Sequence, residues 1–197
     1  MAHLGVEYEN RVWEHGKTEE TKFGEWPKMK RHLGLDFPNL PYLVDGDFKL
    51  SESKSIMKYF CRKHDPSLLG RNPTEVATAD MVSRVHDDLH KKITVHCFNG
   101  DRVALMTDVN KASAQLATFL GEKTFLAGDK LTFVDFSIFE MLDHFNILTE
   151  GQTFREWPNL AAFFDRVKTQ DGVDEFYQED IFCQTKSGFK PWYAKTQ

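Results

Sequence analysis

Apolar positions fall along this chain in two regimes that meet near residue 73. Before it they come in short runs broken by proline, glycine and charge; after it they recur at helical spacing with few interruptions. The densest punctuation lies at 33–53, Leu-Gly-Leu-Asp-Phe-Pro-Asn-Leu-Pro-Tyr-Leu-Val-Asp-Gly-Asp-Phe-Lys-Leu-Ser-Glu-Ser. Pro38 and Pro41 each hold the residue before them out of the helical region. Tyr42-Leu43-Val44 and Phe48-Lys49-Leu50 are short strands in prospect, and Asp45-Gly46-Asp47 between them predicts a hairpin. Ser51 or Ser53 then caps a helix carried by Ile56, Met57, Tyr59 and Phe60, running to about His64. Such a helix start offers unclaimed N–H groups and a favourable dipole to an anionic small molecule. Upstream, residues 7–13 read as a short strand with Tyr8, Val12 and Trp13 as its apolar members. Residues 14–25 read as a polar loop, and Trp26-Pro27 opens a short basic helix.

Beyond a linker around 67–73 the pattern predicts helix after helix. One covers 74–97, with Ala77, Met81, Val85, Leu89, Ile93 and Cys97 spaced by four as an apolar seam. A second covers about 104–120, with Val109, Ala112, Leu116, Phe119 and Leu120 on one side. Thr132-Phe-Val-Asp135 fits the capping-box pattern. The helix it opens, 133–148, is apolar on nearly all sides (Phe133, Val134, Phe136, Ile138, Phe139, Met141, Leu142, Phe145) and belongs at the centre of a bundle. Pro158 starts another, 171–178 adds one more, and the tail with Phe189, Pro191, Trp192 and Tyr193 packs back on the surface.

Composition narrows the function. With 41% hydrophobic and 28% charged residues, the 197-residue chain has a globular make-up. A net charge of −5 leaves no basic stripe for nucleic acid. No apolar run approaches the roughly 20 residues that cross a bilayer, so no membrane insertion is expected. The N-terminus has neither a basic n-region nor an apolar h-region, and Cys61, Cys97 and Cys183 are too scattered for a disulfide framework. Together these predict a cytoplasmic location.

Two motifs carry a resemblance to a known family. Leu33–Tyr42, with Asp45-Gly46, Ser51-Glu-Ser53 and Ile56-Met-Lys-Tyr59, is similar to the mu-class cytosolic glutathione transferases. Gly128-Asp-Lys-Leu-Thr-Phe-Val-Asp-Phe136 resembles the helical-domain motif of the same family. The similarity runs over most of residues 8–197. It implies an α/β plus all-α fold, in which an incomplete thioredoxin-like domain (1–66) leads through a linker (67–73) to an all-helical domain (74–197). It implies glutathione as substrate or ligand, with no metal, and conjugation to electrophiles by thiolate attack. The alternative is a non-catalytic homologue, a glutathione-binding module or a structural subunit of a larger assembly. The partner implied is a second copy in a homodimer, or another protein in that assembly.

Carried over position by position, the resemblance makes Pro41 the cis-proline, with Leu40 pairing its backbone to the cysteinyl part of glutathione. Trp26 and Lys30 match the positions that bind the glycine carboxylate, and Asn39 lies beside them. Glu52 and Ser53 match the pair that holds the γ-glutamyl end. Where the family usually has Gln, Glu52 could accept from the ligand's ammonium but would repel its carboxylate. Asp88 matches the acid that reaches the neighbouring subunit's ligand, and Phe98 falls where the mu class often has an electrophile-site Tyr. The family's first strand carries Gly-Tyr-Trp, whose Tyr stabilises the glutathione thiolate. Nothing in Met1–Gly5 resembles it, and Tyr8, Tyr42, Tyr59, Tyr177 and Tyr193 stand in other contexts. No catalytic residue is therefore assigned. His86 and His90, four apart on a helix, read as solvated surface histidines rather than metal ligands. The three cysteines read as small buried hydrophobes.

Overall fold

The computed structural model describes residues 1–13 and 24–178, with the main chain alone at Phe98. Helix α1 (Trp26–Met29) is a single turn. The strands β1 (Tyr42–Asp45) and β2 (Phe48–Ser51) form an antiparallel pair in the register Tyr42↔Ser51 to Asp45↔Phe48. The loop between them is Gly46-Asp47, and φ of 61° at Gly46 is the positive first position that a type II′ turn needs. Asp45 fastens this hairpin to helix α2 (Ser53–His64). Its carboxylate accepts from the Tyr59 hydroxyl at 2.6 Å and from the Lys63 ammonium, and the Phe48 and Tyr59 rings lie 5.0 Å apart.

A short turn, Pro66–Leu69, leads to the long helices, its start fixed by Asp65 accepting from the Ser67 N–H at 3.0 Å. Gly70 follows at φ 115°, and a Cβ there would stand 2.6 Å from the Val76 nitrogen, so no side chain fits. Asn72 then caps α3 (Pro73–Asn99), accepting from the N–H groups of Thr74 and Glu75 at 3.0 Å each. Helices α4 (Arg102–Leu120), α5 (Phe133–Leu148), α6 (Gln152–Glu156), α7 (Pro158–Lys168) and α8 (Val173–Gln178) complete the order. The bundle closes around α5, whose Phe133, Ile138, Leu142 and Phe145 are each 1% exposed or less. From α7, Asn159 donates to the Ala117 carbonyl at 2.9 Å and Arg166 to the Thr124 carbonyl at 2.7 Å, tying it to the end of α4 and the turn beyond.

The two units meet where α2 lies on α3 and α5. Cys61 belongs to the helical core and Met57 packs against it. On either side of Met57, Lys54 donates to the Ser137 hydroxyl of α5 at 2.7 Å and Lys58 to Asp80 of α3 at 2.6 Å. No helix among the described residues is long and apolar enough to cross a membrane.

Four expectations need correction. Residues 7–13 form no strand; Tyr8 is 44% and Val12 62% exposed, so their alternation has no sheet face to cover. Neither Ser51 nor Ser53 caps α2: the N-cap is Glu52, while the Ser51 hydroxyl donates to the Phe37 carbonyl at 2.6 Å. The four-spaced row on α3 is not one buried seam. Ile93 and Cys97 are buried, but Met81 and Val85 are 49% and 44% exposed. A step of four residues overshoots one turn by about 40°, so five steps wind the row about half-way round the helix. The buried stripe of the first half is Ala79, Val82 and Ser83 instead. His86, finally, is not a solvated surface group, since its side chain is 12% exposed. Of the predicted loop at 14–25, residues 14–23 lie outside the described residues, as does the tail from 179.

Candidate functional site

The loop from Leu33 to Pro41 is drawn onto β2 and the start of α2 by three hydrogen bonds, and a fourth forms within it. Lys49 donates to the Leu33 carbonyl at 2.7 Å and Ser51 to that of Phe37. Asn39 accepts from the Leu40 N–H at 2.9 Å and donates to the Glu52 carboxylate at 3.3 Å. The Leu40–Pro41 bond is cis. These contacts bring Asn39, Leu40, Pro41, Glu52 and Ser53 together on one exposed rim.

Glu52 is the unusual residue of that rim. Its φ of 74° and ψ of 112° lie in a region that non-glycine residues rarely occupy, at a cost of about 1–3 kcal/mol. Strain of this kind gathers at ligand clamps, because surrounding bonds must hold it in place. Here Glu52 accepts the first intrahelical bond of α2, from Ile56 at 3.0 Å, and its side chain caps nothing. The next amides, from Ser53 onward, carry no intrahelical partner at such a start. With the helix dipole behind them they suit a carboxylate.

Trp26 lies against Tyr42, the residue after Pro41, and Lys30 closes the short helix that carries Trp26. The Trp26 ring is 8% exposed and stacks on Tyr42 at 5.8 Å and 15°. Lys30 caps α1, its N–H bonded to the Trp26 carbonyl at 2.9 Å. Asp88 is exposed on α3. Phe98 lies in the last turn of α3, and its side chain is outside the described residues.

The seam behind the rim is rich in titratable groups, of which sequence reasoning passed over Lys54. Lys54, in the first turn of α2, points back to Ser137. Its sequence signal was legible: a cation in a first turn opposes the helix dipole and calls for a partner. The rings of His86 and His90 stack 5.9 Å apart, and with Glu140 and His144 they line a cavity of about 30 Å³ between α3 and α5. Among the described residues no three such side chains are arranged to hold a metal ion. Burial first, and Lys54 second, push the His86 pKa down from 6.5 to about 4. The unfolded chain thus takes up a proton that the folded one refuses, so this contribution to stability is whole above pH 6.5 and is lost as pH falls towards 4. His86→Gln is expected to narrow the fall in urea midpoint between pH 7.5 and pH 5 relative to the parent chain. An unchanged fall would show that His86 titrates freely. Cys61 and Cys97 are buried thiols with pKa values raised by desolvation, that of Cys61 to about 11, so neither is a nucleophile at neutral pH.

A strained cap at a helix start, a cis-proline loop bonded to it and an all-helical partner domain define a class of protein. The family model for the glutathione S-transferase N-terminal domain matches residues 1–62, and that for the C-terminal domain matches 87–180. The chain belongs to the glutathione S-transferase family, with that family's fold and a glutathione transferase-like function.

Its relatives are of the mu class. Human glutathione S-transferase Mu 3 is 32% identical over 181 residues, 90% of this chain and 79% of the relative. Rat glutathione S-transferase Mu 5 is 34% identical over 177 residues, 88% and 77% of the two chains. The crystal structure of glutathione S-transferase Blo t 8 superposes with a TM-score of 0.79 at 26% identity, covering 91% of this chain and 84% of that one. Members of the family bind glutathione and generally form dimers.

Proposed function

We propose that this chain binds glutathione along the rim from Asn39 to Ser53 and delivers its sulfur to an electrophile. The observation that carries this reading is Glu52, held at φ 74° between the Asn39 amide and the first turn of α2. In that position the Ser53 hydroxyl and N–H take the γ-glutamyl carboxylate at the helix start, and the Glu52 carboxylate accepts from the γ-glutamyl ammonium. The backbone of Leu40, exposed at the cis bond, pairs with the cysteinyl residue. Trp26 and Lys30, with Asn39 beside them, hold the glycine carboxylate, and Phe98 is assigned to the electrophile site. We place the division of the chain at 1–66, 67–73 and 74–197, and its location in the cytoplasm. The test is conjugate formation between glutathione and a chlorodinitrobenzene-type electrophile. The reading expects turnover above the uncatalysed rate. A folded chain that binds glutathione without turnover would be a binding module instead.

A homodimer completes the reading, with Asp88 reaching the ligand of the neighbouring subunit. Phe37 is 80% exposed at the tip of the 33–41 loop. On the same chain Met81, Val85, Leu89, Leu116 and Phe119 line an open groove of about 660 Å³ between α3 and α4. A projecting ring and an apolar groove on one chain satisfy two copies at once in a two-fold, self-complementary contact. Phe37→Ser is expected to convert the dimer to monomers by light scattering, and to weaken glutathione binding by removing the partner's Asp88. A dimer of unchanged stability would refute that contact.

A further inference from the structure

Lys54 occupies a place that stability alone does not explain. It is a cation in the first turn of α2, where the dipole disfavours positive charge. It is half-buried against the helical domain, and desolvation lowers its pKa. Its hydrogen-bond partner among the described residues, the Ser137 hydroxyl, is neutral and 5% exposed. The groups that face it are Asp87 and His86 from α3, Glu140 from α5 and Lys58 from its own helix. Asp87 is already engaged by Arg84 at 3.2 Å and by His86 at 3.4 Å, and Lys58 adds repulsion. A half-buried ammonium with a neutral partner brings little net stability, since its desolvation is poorly offset.

Its placement answers a different need. Ser53 immediately precedes it, and the strained Glu52 precedes Ser53. The first turn of α2 has no side-chain cap to hold it. The Lys54–Ser137 bond spans 83 residues of sequence and is buried more deeply than the neighbouring Lys58–Asp80 pair, where Asp80 is 54% exposed and solvent weakens the tie. We propose that Lys54 is a positioning residue for glutathione: by hydrogen-bonding Ser137 across the seam it fixes the start of α2, and with it the amides and hydroxyl that take the γ-glutamyl carboxylate.

This inference rests on the glutathione site proposed above, and its test separates the two. Lys54→Met keeps the length and apolar stem of the side chain but removes the ammonium; Ser137→Ala removes the acceptor. In both, the melting temperature is expected to stay level or rise, while the Kd for glutathione by calorimetry weakens about five- to tenfold. The double variant is expected to lose no more than either single one, because both cut the same bond. Without ligand, hydrogen exchange at the first hydrogen-bonded amides of α2, residues 56–58, is expected to quicken in both variants. Unchanged exchange there, or a Lys54→Met Kd equal to that of a glutathione-binding parent, would overturn the role of Lys54. A folded parent that does not bind glutathione would overturn the reading of the site itself.

Discussion

Asp135→Ala is expected to lower the unfolding free energy by about 3–5 kcal/mol, read from urea denaturation at neutral pH, and so to leave the helical domain barely folded. Asp135 is wholly buried at the start of α5. One carboxylate oxygen accepts from the Leu126 N–H at 2.9 Å; the other accepts from the Thr132 N–H at 2.6 Å and its hydroxyl at 2.8 Å. Burial pushes the carboxyl pKa up to about 6, and these donors are what hold it below neutrality. Alanine strands two buried amides and a hydroxyl, each costing about 1–3 kcal/mol. Asp135→Asn keeps one acceptor oxygen and is expected to recover roughly half of the loss. An alanine variant within about 1 kcal/mol of the parent would mean that water or a rearranged 126–132 turn satisfies the donors.

Trp26→Ala is expected to act on the other unit. A buried tryptophan truncated to alanine typically costs about 3–5 kcal/mol. Trp26 carries the stacking on Tyr42 and lies 5.6 Å from the Trp13 ring. The sheet it supports has two described strands, too few to stand without packing against something else. The expected outcome is local: amide exchange accelerates at Leu43 and Val44 while protection in α5 and α7 persists, and glutathione binding disappears. Trp26→Phe restores the stacked ring and is expected to restore the exchange pattern, with weaker binding. Parent-like protection of β1 in the alanine variant would contradict this anchoring role.

The predicted elements that held were those whose cues are local. Pro38, Pro41 and Asp45-Gly46 act within a few residues, so the hairpin was legible from the sequence alone. The Thr132–Asp135 box is a four-residue motif, and its reciprocal bonds formed as expected. All-round apolarity marked α5 as central because no other environment suits it. What could not be read depended on distant partners. Ser51 looked like a cap until the Phe37 carbonyl, 14 residues away, claimed its hydroxyl. His86 looked solvated because the wall that buries it comes from α5. Lys54 was marked as an oddity by its place in a first turn, but its partner Ser137 lies 83 residues away. The α3 row misled for a geometric reason, since a strict four-residue spacing drifts off any one face. Within the candidate site, the run from Asn39 to Ser53 was contiguous and legible, whereas Asp88 and Phe98 belong to another helix, α3.

The central claim is that the start of α2 and the 39–41 loop together grip glutathione. It is tested most directly by following the amide resonances of the folded chain in a ¹H–¹⁵N titration with glutathione. At about 10 mM ligand, even a Kd of 1 mM gives roughly nine-tenths occupancy. The account predicts saturable shifts at the amides of Leu40, Ser53 and Lys54, abolished together in Trp26→Ala. A folded chain whose Leu40 and Ser53 amides stay in place throughout the titration would contradict it.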